Sequence, residues 1–266
     1  MTNPQFETVQ FVLPVRRFKL FEGANHQRMQ DLLTGKDSKT GAQVDVPRQP
    51  ITPKMLMEAR LGKIGTEGDK TYLRGVYVDT RFAVLPDPES DAVKVVPNDP
   101  LVYGLSPESK LVDYNLPIDK DHYEAQEGFE FNADNANALR DNIHTIPNVR
   151  EAFWEFASEG DTSLKTDYQN DITTTLKRPF TQVIGIHLPR SKGLRLLGVG
   201  SVGNRANANG NGDLGNANGR LVGVAQVAQK NDTPTLEHTV EILHPGKAVR
   251  VDGKTYIAVP EDLEIK

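Results

Sequence analysis

Cysteine is missing from all 266 residues. That one absence removes disulfides, thiolate catalysis and every cysteine-ligated zinc or iron–sulfur centre. No stretch approaches the ~20 uninterrupted apolar residues that a membrane-spanning helix needs. The N-terminus, MTNPQFETVQFVLPVRRFKLF, lacks the basic, apolar and small-residue succession of a secretory signal. A cytoplasmic location, or an assembled particle, is the expectation, with no membrane partner.

Motifs of chemistry are equally scarce. The six histidines, His26, His122, His144, His187, His238 and His244, form neither H-x-x-x-H nor H-E-x-x-H, so no helix face presents two metal ligands. The stretch Asp119 to Glu124, DKDHYE, lacks the glycine and spaced acids of a calcium loop and reads as a solvated turn. Glu264-Ile265-Lys266 matches the end of a nuclease motif only at the chain terminus, where catalytic groups are poorly held. Neither a G-x-S-x-G elbow nor a phosphate-binding G-x-x-x-x-G-K-[ST] loop occurs. No cofactor and no metal are expected, and catalysis is not indicated.

What is present is glycine and asparagine in one place. Leu196 to Gly219 reads LLGVGSVGNRANANGNGDLGNANG, with Gly198, Gly200 and Gly203 at the G-x-G-x-x-G spacing. A dinucleotide fingerprint requires a helix at once after the glycines and an acid some twenty residues on. Here an Asn/Gly run of poor helix propensity comes next, and the later position falls in the acid-free RLVGVAQVAQ. A nucleotide site is therefore not expected. The segments RLLGVGSV, from Arg195, and RLVGVAQV, from Arg220, are identical at five of eight positions. They read as related strands of an antiparallel hairpin or as neighbours, joined by a long Gly/Asn-rich loop. A connection of this length is uncommon in compact domains unless it is functional or disordered.

Elsewhere, Gln5 to Phe21 and Thr71 to Leu85 read as strands. Residues 86 to 117 are broken by six prolines into short ones such as Ala92 to Val96. Helix grammar is clearest in ITPKMLMEARLG, where Thr52 can cap, Pro53 opens and Gly62 ends the helix. His26 to Gly35, Asn132 to Ile143 and Asn148 to Ser158 are further helical stretches, the last with Asn148 as cap and Val149, Ala152, Phe153, Phe156 and Ala157 as its apolar stripe. FTQVIGIHLP, from Phe180, reads as a strand, and Asp252-Gly253 marks a hairpin near the C-terminus. The expected fold is α+β and β-rich, a mostly antiparallel sheet with two or three helices and a long Gly/Asn-rich hairpin loop. One domain over 1–266 is expected, with 204–219 a flexible hairpin or arm insertion.

Charge is unevenly distributed. Lys177, Arg178, Arg190, Lys192, Arg195, Arg205 and Arg220 face one acid, Asp213, between positions 177 and 220, so that segment is +6 while the whole chain is -5. These seven residues are the candidate interaction site. An acidic body with a basic arm suits contacts between copies. The leading expectation is a non-enzymatic structural subunit of a larger assembly, such as a virion or phage-tail component, self-associating through the arm or binding other assembly subunits. Nucleic-acid binding by the same segment is the alternative, although Phe180 is its only aromatic residue and base stacking would want more. An enzyme whose site is assembled from distant residues is a third.

Overall fold

The computed structural model describes residues 5–14, 16–225, 235–244, 248–251 and 254–257, with side chains described for 16–225. The chain divides into two compact units, Arg17–Gln226 and the two terminal segments Met1–Arg16 with Val227–Lys266. In the terminal unit β1 (Gln5–Pro14) pairs along its whole length, antiparallel, with a late strand, Thr235–His244. That strand continues the sheet to Ala248–Val251 and then to Lys254–Ile257, with Val251 opposite Lys254. The expected turn residues Asp252-Gly253 lie outside the described residues.

The larger unit is built in chain order from β2 (Phe18–Glu22), α1 (Asn25–Thr34), β3 (Arg48–Pro50), α2 (Pro53–Leu61) and α3 (Glu67–Gly75). Next come β4 (Val78–Pro86), β5 (Val93–Val96), α4 (Pro100–Tyr103), α5 (Lys120–Ala125), β6 (Phe129–Phe131), α6 (Ala133–Asp141), α7 (Pro147–Ala157) and α8 (Thr162–Leu176). It closes with β7 (Ile186–His187), β8 (Arg195–Val199), β9 (Ala208–Asn209) and β10 (Arg220–Ala225), so that the later strands of the terminal unit, after β1, are β11, β12 and β13. The main strand order is β2-β10-β4-β8-β9-β7, with β3 beside β10, and β5 and then β6 beside β4.

The expected architecture is corrected on three points. Among the described residues there are eight α-helices rather than two or three, and the nine-stranded sheet is mixed. The pairs β10 with β4 and β7 with β9 are parallel, and the other pairs of this sheet are antiparallel. Most consequentially, β8 and β10 do not form a hairpin, because β4 lies between them. Their shared sequence reflects a shared environment: both are buried strands flanking the same central strand, one antiparallel and one parallel to it.

The two-residue alternation of a strand sends successive side chains to opposite faces, and here both faces are covered. Phe82 and Val84 of β4 join Leu197, Val199, Val222 and Val224 in one apolar cluster with Leu56, Phe153, Trp154, Tyr168 and Ile172 from the helices. Ala83 and Leu85 join Leu196 and Leu221 in a second, with Met29 and Leu32 of α1 and Leu214 of the Gly/Asn-rich segment. A sheet buried on both sides needs helices on both sides, which the expectation of two or three could not supply.

Local grammar explains several of the differences. Thr71 to Gly75 belong to α3, opened by a capping box in which Thr66 accepts the Asp69 N–H and the Asp69 side chain accepts the Thr66 N–H. DKDHYE forms most of α5, with Asp119 accepting the His122 N–H as its cap. In α7 the cap is Ile146, at φ 48°, and Pro147 is the first helical residue, two residues earlier than an Asn148 cap allows. Phe180–Gln182 is a 3₁₀ turn, and only Ile186–His187 of that stretch is strand.

Candidate polar site around the Gly/Asn-rich segment

Asp79 sits near the start of β4, opposite Gly198 of β8 and Leu221 of β10, where the β4–β8 register breaks. It is 1% exposed. Its Oδ2 accepts the Arg220 backbone N–H at 2.8 Å, whereas Oδ1 is buried and has no hydrogen-bond partner among the described residues. The Tyr77 hydroxyl and the Asn25 Oδ1 are buried and unpartnered in the same sense, although both side chains lie close enough to Asp79 to favour its ionised form. Burial outweighs them and raises the Asp79 carboxyl above the usual aspartate value. Burial, then the Asp79 charge, pushes the Tyr77 phenol well above its ordinary range, so it stays protonated.

Two glycines, Gly198 of the motif and Gly212 beyond it, make room for this cluster. A Cβ at Gly198 would overlap the Tyr77 hydroxyl, so glycine is what lets the ring lie across β8. A Cβ at Gly212 would stand 3.0 Å from Tyr77 Oη and 3.4 Å from Asp79 Oδ1. Of the glycines in the spacing that imitates a nucleotide fingerprint, Gly198 alone meets the tyrosine, and β8 leads into a 3₁₀ turn, Val202–Asn204, instead of an α-helix.

The rest of the segment is anchored at one point and turned by its asparagines. Leu214 is fully buried, and its carbonyl accepts from the His26 N–H and meets His26 Nδ1 at 3.2 and 3.0 Å. Asn209 Oδ1 accepts the Asn211 N–H and Asn216 Oδ1 accepts the Asn218 N–H, at 2.8 and 2.9 Å. Such local bonds are why asparagine favours turns. Asn211, Asn216 and Asn218 lie on the outside of the segment and are all exposed.

Two cavities open on this face and share Asn211 and Asp213 as a wall. The first, about 400 Å³, is lined by Asn25, Tyr77, Asp79 and Arg220 together with loop asparagines. The second, about 430 Å³, is lined by Arg140, His187, Arg190, Ser191 and Arg195. Its arginines each meet a carboxylate: Arg140 with Asp91 at 3.4 Å, Arg190 with Asp141 at 3.1 Å and Arg195 with Asp213 at 3.5 Å. Burial lowers both the Arg195 and the His187 pKa, the former against the pull of Asp213.

Of the seven candidate basic residues, Arg190 and Arg195 meet in the second cavity and Arg220 borders the first. Arg195 is 2% exposed, and its Nη2 also bonds Ser191 and the Lys192 carbonyl. The Lys192 ammonium bonds the carbonyls of Asp87 and Ser90. Lys177 and Arg178 stand at the end of α8, and Arg205 comes just after the 3₁₀ turn, at φ 64°. Neither cavity gathers these last four. The residues not anticipated are Asn25, Tyr77, Asp79, Arg140 and His187. Only Asp79 carries a signal in the sequence, as a charge inside the apolar run VYVDTRFAVL. Among the described residues no group of three or more histidines and carboxylates is placed to hold a metal ion.

No family model matches this chain, and comparison with curated proteins finds no match. One similar solved structure is described as "Accommodation of massive sequence variation in Nanoarchaeota by the C-type lectin fold"; it shares 16% identity, covers 84% of this chain and 99% of its own, and has a TM-score of 0.48.

Proposed function

We propose that this chain works by binding, as a subunit that associates with further copies of itself through the face formed by residues 209–219 and the two cavities beside them. The observation that carries the reading is the wall of Asn211 and Asp213, which separates an acceptor-rich cavity from an arginine-rich one on a segment pinned by Leu214. Exposed amides on a turn segment anchored by Leu214 beside the sheet supply donors and acceptors without the desolvation cost of charges. Arg195 and Lys192 hold their own structure together, and on this reading the contact is made by amides and cavities rather than by a basic arm.

The test is light scattering on the full chain across a range of concentrations. The wild type is expected above the 29.4 kDa monomer. The variant Asn211→Ala with Asn216→Ala and Asn218→Ala is expected to return it to a monomer with an unchanged circular-dichroism spectrum. A wild type that stays monomeric at every concentration would sink self-association. A variant that still associates would move the contact elsewhere.

A further inference from the structure

The two cavities differ in what they lack. Every guanidinium of the second already faces a carboxylate, whereas the buried carboxylate of the first accepts one backbone N–H, its Oδ1 has no partner at good hydrogen-bond geometry among the described residues, and the Asn25 and Tyr77 side chains and the Arg220 charge only partly offset its burial. A buried charge left in this state is costly unless a donor of opposite charge completes it. We propose that the cavity over Asp79 is a binding site for a primary ammonium group on a flexible alkyl stem, the chemistry of a lysine side chain.

Four features of the site select that group. Asp79 Oδ1 and Tyr77 Oη flank the space left open at Gly212, where a Cβ would lie 3.4 and 3.0 Å from them, so two acceptors converge on one small volume. An ammonium brings three donors and no acceptor, and the third can be met by the loop amides that line the cavity. The charge balance favours a single positive charge over a divalent ion. Asp213, the other carboxylate lining the cavity, is engaged by Arg195, and Arg220 stands at the border. Finally, an ammonium on a thin stem reaches a narrow, glycine-lined recess more readily than a planar guanidinium does.

As the anchor of a contact between copies, this site rests on the proposed function; as a small-molecule site, it does not. The experiment tracks the amide resonances of Gly212 and Gly219 in the isotope-labelled full chain during titration with a capped lysine peptide, cadaverine, a capped arginine peptide and calcium chloride, each separately. The lysine peptide and cadaverine are expected to give saturable shifts, with the arginine peptide weaker. Asp79→Asn removes the charge, and Gly212→Ala puts a methyl group into the recess while leaving every acceptor in place. Each is expected to weaken lysine-peptide binding by about tenfold or more, the scale of a lost hydrogen bond to a charged group.

The inference is overturned if neither ammonium probe saturates, if calcium shifts these resonances in preference, or if both variants bind the lysine peptide as the wild type does. Should the ammonium site fail while the asparagine variant still abolishes association, the proposed function stands without this anchor. Should the ammonium bind to a chain that remains monomeric, the site stands and the self-association reading falls.

Discussion

At the scale of single residues, Asp79 is placed against its own stability. Its pKa is raised in the fold by burial, so the stabilising contribution of the protonated carboxyl is complete below the unfolded value near 3.8 and is lost as pH rises through the folded value. The groups facing it, Asn25, Tyr77 and Arg220, only partly offset this. Asp79→Asn is therefore expected to melt higher than the wild type at neutral pH, with the difference growing as pH rises from about 4 to about 7. Thermal melts across that interval measure it, and a lower melting temperature at neutral pH would mean that the carboxylate is needed by the fold. Asp87 is the opposite case. Burial works against its ionisation, yet the Ser90 hydroxyl, the Glu89 N–H and Lys120 bring its pKa down to about 2. Its contribution is present above the unfolded value and is lost only in strong acid. Gly198 gives a second residue-scale prediction. Gly198→Ala should cost about 1–3 kcal/mol in denaturant unfolding, the range for overpacking, because the new methyl group meets Tyr77. Combined with Tyr77→Ala, that extra cost should vanish, as a double-mutant cycle would show.

At the scale of elements, the Gly/Asn-rich segment depends on Leu214. The side chain is fully buried in the cluster with Met29, Leu196 and Leu221, and the residues beside it have little else to bury. Leu214→Ala is expected to destabilise the fold by about 2–5 kcal/mol and to speed amide exchange at 209–219 more than in β4. Uniform acceleration would mean that the segment opens only with the whole unit. Elements with local signals are legible in the sequence. In α2, Thr52 accepts the Met55 N–H at 3.1 Å, Pro53 opens the helix and Gly62 ends it at φ 75°. By contrast, α8 has a local signal only at its start, where Asp161 caps by accepting the Leu164 N–H at 2.9 Å: its buried stripe is only Leu164, Tyr168 and Ile172, set among threonines and asparagine of middling helix propensity. The resemblance of β8 to β10 is visible in the sequence, but the strand between them is not, because strand order is a long-range property with no local trace. The site is concealed for the same reason. Gly198 and Gly212 stand out in the sequence, while the tyrosine and aspartate that explain them lie more than a hundred residues earlier.

At the scale of the whole molecule, the balance of charge bears on how copies meet. The chain carries a net charge of -5, so like molecules repel one another at low ionic strength. A contact made by a basic arm on an acidic body would overcome that repulsion through exposed charges, and salt would weaken it. Raising the salt from about 0.1 M to about 1 M shortens the screening length from about 10 Å to about 3 Å. A contact made by asparagine amides and by an ammonium seated on buried Asp79 should respond differently. Its hydrogen bonds are not screened, its ion pair is sheltered, and the repulsion between acidic bodies is what salt removes. The mass by light scattering is therefore expected to hold or rise with salt, and reversal of the pair at the end of α8, Lys177→Glu with Arg178→Glu, should leave it unchanged. A mass that falls with salt, together with loss of association on that reversal, would return the contact to those basic residues and remove it from the Gly/Asn-rich face.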